Sequence, residues 1–368
     1  MTSHPRPRPA ASSLAVWLGL LTLYFVWGST YIGIKVSVES IPAFVMASGR
    51  FLIAGLLLLG WSVAREGRAA LRVSRVEFRD SFVVGAFLLG GGMGMVALGE
   101  QTVPSGITAL LIALMPLWVT VLGRLVFGER TPRIVLVGIV IGLVGVVILV
   151  APTSTGLAFE AGGLAAVLLS PISWASGSLY SSHRARLPHL PLVATAVQML
   201  CGGLVLAALA VVTGELSTFS LAAVTGRSWL AFFYLVSVGS VIGYTTYVWL
   251  LRVAPLPKIA TYAYVNPIVA FVLSAIVLGE ELSLRTVLAA VVIVAAVAII
   301  VTARGRTTAA ADTVATIEIG EPAFALSAEE EAEQAGGATA AASAASAATV
   351  STGEPAGSPA QPGSPAPA

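Results

Sequence analysis

The charged residues that could take part in chemistry lie within or beside long apolar runs. Arg50 stands about six residues into one run, and Glu100 follows the end of another. An arginine at the centre of a membrane helix costs about 2.5–3.5 kcal/mol and usually faces a protein interior or a water-filled cavity. We therefore expect Arg50 and Glu100 to compensate each other's charge, or one of them to bind a charged substrate group or a proton. Two alternatives stay open: Arg50 could extend to the headgroups, and Glu100 could be an ordinary loop carboxylate.

A second group of candidates combines aromatic rings with one amide. Its members are Tyr244, Tyr247, Trp249, Tyr262, Tyr264 and Asn266. Tyr262 and Asn266 are four residues apart, so they share one face of a helix. Such side chains could line a cavity for an organic solute, or they could form the aromatic belt that is common at membrane interfaces.

Two tryptophans with hydroxyl neighbours extend this set. Trp27 is followed by Ser29 and Thr30, and Trp174 is followed by Ser176. We expect both tryptophans to face a central cavity. The alternative is that they pack against neighbouring helices.

Other kinds of chemistry are disfavoured. The chain has one cysteine and three histidines, and none of the histidines lies in a long apolar run. An intrachain disulfide and metal sites built on several cysteines are therefore excluded. The glycine-rich stretch 90–94 lacks the Gly-Lys-Ser/Thr that completes a phosphate-binding loop, so we expect no direct use of ATP. We predict no catalytic residue, no metal and no cofactor.

The elements that position these residues must be membrane helices. Of the 368 residues, 57% are hydrophobic and only 10% are charged, whereas a soluble domain has about a quarter charged residues. A bilayer core about 30 Å thick needs roughly 20 apolar residues in a helix. Such runs occur at about 14–34, 44–63, 81–99, 106–127, 134–151, 161–180, 192–213, 229–250, 259–278 and 286–303. We predict an all-α integral membrane protein with ten transmembrane helices.

The basic residues predict the orientation, because Lys and Arg favour cytoplasmic loops. With the N-terminus inside, sixteen of the twenty basic residues fall inside. Only Lys35, Arg227 and Arg285 fall outside, and Arg50 lies within a span. Both termini are therefore predicted to be cytoplasmic.

The ten spans form two copies of a five-span unit. A shift of 151 residues superimposes Gly92 on Gly243, Pro104 on Pro255, Ala109 on Ala260, Pro116 on Pro267, Gly128 on Gly279 and Glu129 on Glu280. Near the start of each half, a smaller offset aligns Trp27 with Trp174 and Arg50 with Gln198. Because each copy has an odd number of spans, the copies insert with opposite topology.

Inverted repeats are typical of carriers that work by alternating access, and prolines that interrupt helices at matched positions indicate the substrate path. Pro116 and the Asn266-Pro267 pair fit this pattern. The alternative is that these prolines only kink packed helices. The candidate residues of the substrate pathway are Trp27, Ser29, Arg50, Glu100, Pro116, Trp174, Gln198, Tyr244, Tyr247, Tyr262, Asn266 and Pro267.

The predicted organisation has four parts. A cytoplasmic arm occupies 1–13, the first five-helix repeat 14–151 and the second 161–303. The remainder, 307–368, is rich in Ala, Ser, Pro and Glu, with eight acidic residues and no basic one. Such a composition cannot bury enough apolar surface to fold, so we predict a disordered acidic tail. It is either solvated without a partner or in contact with the basic loops.

Several stretches resemble one known family. They are "YFVWGSTYIGIKVSVESIP", "GRFLIAG", "GEQTVPSGITALL", "SPISWASGSLY" and "TYAYVNPIVA", in order across residues 14–303. In combination they resemble the ten-span EamA-type branch of the drug/metabolite transporter superfamily, and within it the YedA-like exporters. The resemblance implies a multi-pass plasma-membrane carrier, of the bacterial inner-membrane type, that exports small metabolites, amino acids or drugs. The acidic tail is not part of the shared pattern.

The predicted function is secondary-active transport driven by an ion gradient, by exchange or by the substrate's own gradient. The expected partners are a small-molecule substrate and the lipid bilayer, with a proton or a counter-substrate as the coupled species and no nucleic acid. One chain with both halves forms a complete carrier, so we expect a monomer. The alternative is a membrane protein without transport activity, either an intramembrane enzyme or a receptor or scaffold that acts through the acidic tail.

Overall fold

The computed structural model describes residues 12–129, 131–151, 160–254 and 256–303. Within these ranges the chain is helical and contains no strand. Nine of the described helices are long and apolar enough to cross a membrane, and one apolar helix is shorter. The predicted ten-helix membrane fold is confirmed in the described residues. The predictions for residues 1–11 and for the tail 307–368 concern residues outside these ranges.

Each half of the described chain contributes five spans. The first half forms α1 Ser13–Ser37, α2 Ala43–Glu66, α3 Arg75–Gly99, α4 Ser105–Phe127 and α5 Arg133–Val150. The second half forms α6 Ala161–His183, α7 Pro191–Val212, α8 Gly226–Val253, α9 Tyr262–Leu278 and α10 Leu284–Ala303. Short helical turns at Gly67–Leu71, Glu215–Thr218, Leu221–Ala223 and Leu256–Ile259 lie between the spans.

Helix α3 begins six residues earlier than the apolar run predicted. A capping box sets this start: Ser74 Oγ accepts from the Glu77 amide at 3.2 Å, and Glu77 Oε2 accepts from the Ser74 amide at 2.7 Å. The two reciprocal hydrogen bonds satisfy amides that a helix end leaves free. As a result Asp80 lies within the helix, although it precedes the predicted apolar run 81–99.

The third helix of each half contains a π-helical segment. In α3 it covers Ala86–Met93, and in α8 it covers Leu235–Ile242. Each segment is followed directly by a glycine, Gly94 or Gly243. Segments of π-helix are rare and occur frequently at functional sites. Their matched occurrence supports the repeat that the sequence predicted.

The two proline-containing spans differ in detail. Helix α4 is broken at 113–114, and Pro116 is the second residue of its second part, Met115–Phe127. Pro267 instead lies inside the continuous helix α9, and the break before it falls at 260–261. The prediction that prolines interrupt both helices at matched positions is therefore correct for Pro116 and wrong for Pro267.

The two halves interlock through equivalent helices. Helix α1 packs against α8 and α9 of the second half, and α6 packs against α3 and α4 of the first. The most extensive pairing joins α2 to α7, the second helix of each half. The fold therefore places the third and fourth helices of each half against the first helix of the other.

Both halves also end their fourth span in the same way. Gly128 ends α4 and Gly279 ends α9, each with φ of 68°. This left-handed conformation costs a glycine little, because it has no Cβ, and it is a common way to end a helix. In each half the next residue is a glutamate, Glu129 or Glu280.

Helices α5 and α10 pack closely because of small residues. A Cβ added to Gly138 would lie 2.8 Å from Ile300, and one added to Gly145 would lie 2.6 Å from Ile293. Small residues at a helix interface let the two backbones approach closely.

We call the end of the bundle where α1 ends the outer end, and the opposite one the inner end, after the orientation that the basic residues predict.

Candidate functional site

Four aromatic side chains from three helices form an aromatic wall. The ring of Trp27 on α1 lies 5.5 Å from that of Tyr244, 5.3 Å from that of Tyr247 and 5.2 Å from that of Tyr262. The contacts with Tyr244 and Tyr262 are edge-to-face, an arrangement that aromatic pairs prefer. The structure thus brings together four of the candidates, and all four side chains are half-buried.

Asn266 lies one helical turn beyond Tyr262 on α9. It is buried, and its Oδ1 accepts no hydrogen bond from the described residues. The backbone carbonyl of Asn266 lies near Gly28 of α1, where an added Cβ would be 3.2 Å from the oxygen. A buried amide oxygen without a donor is costly, so this position is suited to accept a hydrogen bond from a ligand.

Arg50 lies inside the bundle. Its side chain is only 4% exposed, and its Nε donates to Ser240 Oγ at 2.9 Å. Ser240 belongs to the π-helical segment of α8, and the guanidinium also lies near Tyr244 and Tyr234, close enough for electrostatic interaction. The guanidinium is therefore placed beside the aromatic wall rather than at the headgroups.

Glu100 is buried at the outer end and does not pair with Arg50. The residue is 0% exposed, and neither carboxylate oxygen has a hydrogen-bond partner among the described residues. No ion pair within 4.0 Å joins it to Arg50 in that part of the chain. The two charges therefore interact electrostatically without forming an ion pair among the described residues, and Glu100 is not an ordinary exposed loop carboxylate.

Glu100 follows Gly99, the last residue of α3, so it lies just outside the membrane-spanning segment. Burial raises the pKa of the Glu100 carboxyl well above its usual range, and the nearby Lys35 ammonium offsets only part of this effect. The physical cause is the cost of placing a charge where water and hydrogen-bond donors are excluded.

The turn 100–104 that carries Glu100, together with the first residues of α4, is bound from both halves. Lys35 Nζ of α1 donates to the carbonyl oxygens of Glu100 at 2.5 Å and of Val103 at 3.3 Å. From the second half, Glu280 accepts from the amides of Ser105 at 2.7 Å and of Gly106 at 3.1 Å. The acidic side chain thereby caps the N-terminus of α4, where free amides and the helix dipole favour a negative charge.

The repeat-related tryptophans pack against repeat-related glycines. A Cβ added to Gly243 would lie 2.5 Å from Trp27 Nε1, and one added to Gly92 would lie 2.8 Å from Trp174 Cε3. Each tryptophan therefore contacts a glycine of the opposite half. Trp174 is placed by α6 against α3, away from the aromatic wall.

The remaining candidates occupy separate places. Ser29 shares a hydrogen bond with Tyr234, and both line an apolar groove of about 530 Å³ between α1, α8 and α9. Gln198 on α7 is half-buried and approaches Gly85 of α3 through its backbone carbonyl. Pro116 is half-buried in α4.

The sequence reading missed one polar cluster, at the inner end. Asp80 is 0% exposed, its Oδ1 accepts from Tyr180 Oη at 2.9 Å, and its Oδ2 accepts from the Arg186 amide at 2.8 Å. Arg79 Nε also donates to Oδ1 at 2.9 Å. The cluster ties α3 to the end of α6. The capping box at Ser74 was the signal available in the sequence, because it places Asp80 inside the helix.

Lys35, Glu280 and Ser240 were also not selected from the sequence. Lys35 and Glu280 read there as charges at helix ends, and Ser240 as one hydroxyl in an apolar span. Only the packing of α1, α8 and α9 brings them to the turn 100–104 and to Arg50.

Two five-helix halves with polar and aromatic groups packed between them define a multi-pass membrane protein in the described residues. The family model of the EamA-like transporter family matches residues 14–151 and 161–302. The chain therefore belongs to the EamA-like transporter family.

The relatives agree with this assignment. Over 290 residues the chain is 40% identical to the uncharacterized inner membrane transporter YedA of Escherichia coli (strain K12), covering 78% of this chain and 90% of that protein. It is 27% identical over 279 residues to a probable amino-acid metabolite efflux pump of Salmonella typhimurium, covering 75% and 91%. The family and its named members point to a transporter rather than an enzyme, and this chain is a multi-pass inner-membrane protein.

A solved crystal structure has the same fold. It is 21% identical and aligns with a TM-score of 0.56 over 81% of this chain and 99% of its own. The similarity concerns the arrangement of helices.

Proposed function

We propose that this protein is a secondary-active exporter of small metabolites, amino acids or drugs, and that its two halves work by alternating access. The observation that carries the proposal is that each half makes the same tryptophan–glycine contact with the other half. Trp27 packs on Gly243 as Trp174 packs on Gly92. When two similar halves exchange conformations, a cavity open to one side becomes open to the other.

The two π-helical segments are the proposed hinge positions. They occupy matched places in α3 and α8, Ala86–Met93 and Leu235–Ile242, and each lies beside a tryptophan–glycine contact. A helix bends most readily where its regular hydrogen-bond ladder is interrupted, as at a π-helical turn. Bending there would move the outer part of each helix relative to the inner part.

The substrate site is proposed beside the aromatic wall. Arg50 supplies a positive charge within the bundle, and its one hydrogen bond to the described residues uses Nε. The terminal guanidinium nitrogens are suited to bind a carboxylate or another acidic group. The rings of Trp27, Tyr244 and Tyr262 would contact the apolar part of such a solute. This chemistry suits amino acids and their metabolites, and the Salmonella relative is named a probable amino-acid metabolite efflux pump.

The other candidates are assigned to the rest of the pathway. Asn266 offers, one turn from Tyr262, an acceptor that has no partner among the described residues. We assign Trp174, Gln198 and Pro116 to the corresponding site that would form in the opposite half after the exchange of conformations.

Counterflow in proteoliposomes tests the proposal. Vesicles preloaded with an unlabelled solute are mixed with the labelled form, and amino acids, sugars, polyamines and cationic drugs are compared. We expect protein-dependent exchange of at least one acidic or zwitterionic solute. Arg50→Gln should abolish that exchange, whereas Arg252→Gln, on an exposed part of α8, should retain it. Absence of exchange across the panel by folded protein would contradict the proposal for these solute classes.

A further inference from the structure

The turn 100–104 at the outer end and the start of α4 that follows it are bound by groups that belong to different halves. Lys35 of α1 holds the carbonyl oxygens of Glu100 and Val103, and Glu280 holds the first two amides of α4. On the α6 side the turn packs against Gly163 and Val167, which carry no charge. Movement between the halves at this end would therefore break the contacts of Glu280 with the start of α4, directly after the turn.

The Glu100 side chain lies enclosed by this arrangement. The residue is 0% exposed, and both carboxylate oxygens are buried without a hydrogen-bond donor from the described residues. An ionised carboxylate in such a place loses its hydration and gains no hydrogen bond, so the neutral acid is the form that fits.

The charges around Glu100 do not replace the missing donors. Those that act on it electrostatically are Lys35 and Tyr31 of α1, Arg50 of α2 and Glu280 after α9. The Lys35 ammonium donates to backbone carbonyls rather than to the carboxylate. Arg50 donates through Nε to Ser240, and the Glu280 charge opposes ionisation of Glu100.

We propose that Glu100 is a proton-binding site whose protonation is coupled to closure of the turn 100–104 at the outer end. In the closed state the carboxyl holds a proton taken from water. When Lys35 releases the turn and Glu280 releases the start of α4, water reaches the carboxyl, the proton leaves to water, and the carboxylate remains hydrated. One proton is bound for each closure. The inference deepens the proposed transport function by naming the proton as the coupled ion. Only the part that concerns what the bound proton drives rests on that proposed function.

Labelling of a single cysteine measures closure without measuring transport. The one native cysteine, Cys201, is replaced by serine, and Ser105→Cys is introduced as the reporter. Ser105 is 0% exposed, and its contact with Glu280 uses the backbone amide, so the substitution preserves that contact. The rate of reaction with a membrane-impermeant thiol reagent is measured on the purified protein between about pH 5 and pH 9. Thr108→Cys, a buried position one turn further along α4, serves as a second reporter.

The matched control is the same reporter in a Glu100→Gln background. The reactivity of the thiol itself depends on pH in the same way in both proteins. The ratio of their labelling rates therefore isolates the contribution of Glu100. Because opening releases one proton, the ratio of the Glu100 protein to the Glu100→Gln protein should rise with pH by up to about tenfold per unit. Glu100→Asp, which retains a carboxyl, should retain the rise. Glu100→Met provides a second neutral side chain if the glutamine variant does not fold.

Identical pH profiles in the Glu100 and Glu100→Gln proteins would overturn the proposal. A Glu100-dependent change in labelling when sodium chloride replaces choline chloride, without a dependence on pH, would assign the site to a metal cation and also overturn it. The result of the labelling experiment is independent of the result of the counterflow experiment. A Glu100-dependent pH profile without solute exchange would support the proton site and count against the carrier function. Solute exchange without that pH profile would support the carrier function and count against the proton site.

Discussion

Trp27 of α1 lies directly against Gly243 of α8, with room for no side chain at the glycine. An added Cβ would lie 2.5 Å from Trp27 Nε1, closer than real side chains approach. Since the same tryptophan touches the rings of Tyr244 and Tyr262, this contact sets the position of the aromatic wall. The glycine is therefore required for the shape of the proposed substrate site.

Gly243→Ala should displace Trp27 and lower solute exchange. Overpacking a well-packed interior costs about 1–3 kcal/mol, so we also expect a lower melting temperature in detergent. Gly60→Ala is the matched control, because Gly60 is an exposed helical glycine with nothing within 4 Å of an added Cβ. Alanine is a better helix former than glycine, so that control should be neutral or slightly stabilising. Unchanged exchange in Gly243→Ala would show that the position of Trp27 is not critical.

Glu280→Gln should destabilise the protein through the start of α4. The carboxylate accepts from two amides, and an amide side chain offers one acceptor without a charge. Loss of such a helix cap costs about 0.5–2 kcal/mol. The measurement is the melting temperature in detergent, with Glu281→Gln as the control, since Glu281 is the exposed neighbour. An equal effect of both substitutions would contradict a specific role for Glu280.

The Arg50–Ser240 hydrogen bond can be tested by removing one hydroxyl. Ser240→Ala leaves the Arg50 Nε without its partner in a buried place. We expect a loss of about 1–3 kcal/mol, the penalty for an unsatisfied buried donor. Ser237→Ala lies in the same π-helical segment but is exposed, and its hydroxyl bonds only within its own helix, to the carbonyl of Phe233. Similar melting temperatures for the two variants would argue against the contribution of the Arg50 bond.

Asp80→Asn should weaken the inner end of the bundle. One carboxylate oxygen accepts from Tyr180 and the other from the Arg186 amide, and an asparagine cannot serve both acceptor positions. The expected loss is about 1–3 kcal/mol, since a buried group is left unpaired. Thermal unfolding of the variant is compared with that of Glu66→Gln, an exposed carboxylate near the end of α2. A melting temperature equal to that of this control would contradict a structural role for Asp80.

The sequence by itself determined the ten helices and the two halves. Apolar runs of about 20 residues fix membrane helices, because the backbone must satisfy its own hydrogen bonds in lipid. The shift of 151 residues aligned Gly128 with Gly279, and both glycines adopt the same left-handed conformation. Helix starts were less certain from hydropathy alone, since polar caps such as Ser74 extend α3 beyond its apolar run.

Only the tertiary structure decided which candidates meet. Trp27, Tyr244 and Tyr262 come together because α1 of one half packs against α8 and α9 of the other, and no local pattern encodes that pairing. The sequence suggested pairing Arg50 with Glu100 by charge, but in the packed structure Arg50 donates to Ser240, and Glu100 is enclosed within the turn that Lys35 binds. The sequence shows that a charged residue lies within an apolar run. The partner of that charge depends on which helices surround it in the folded protein.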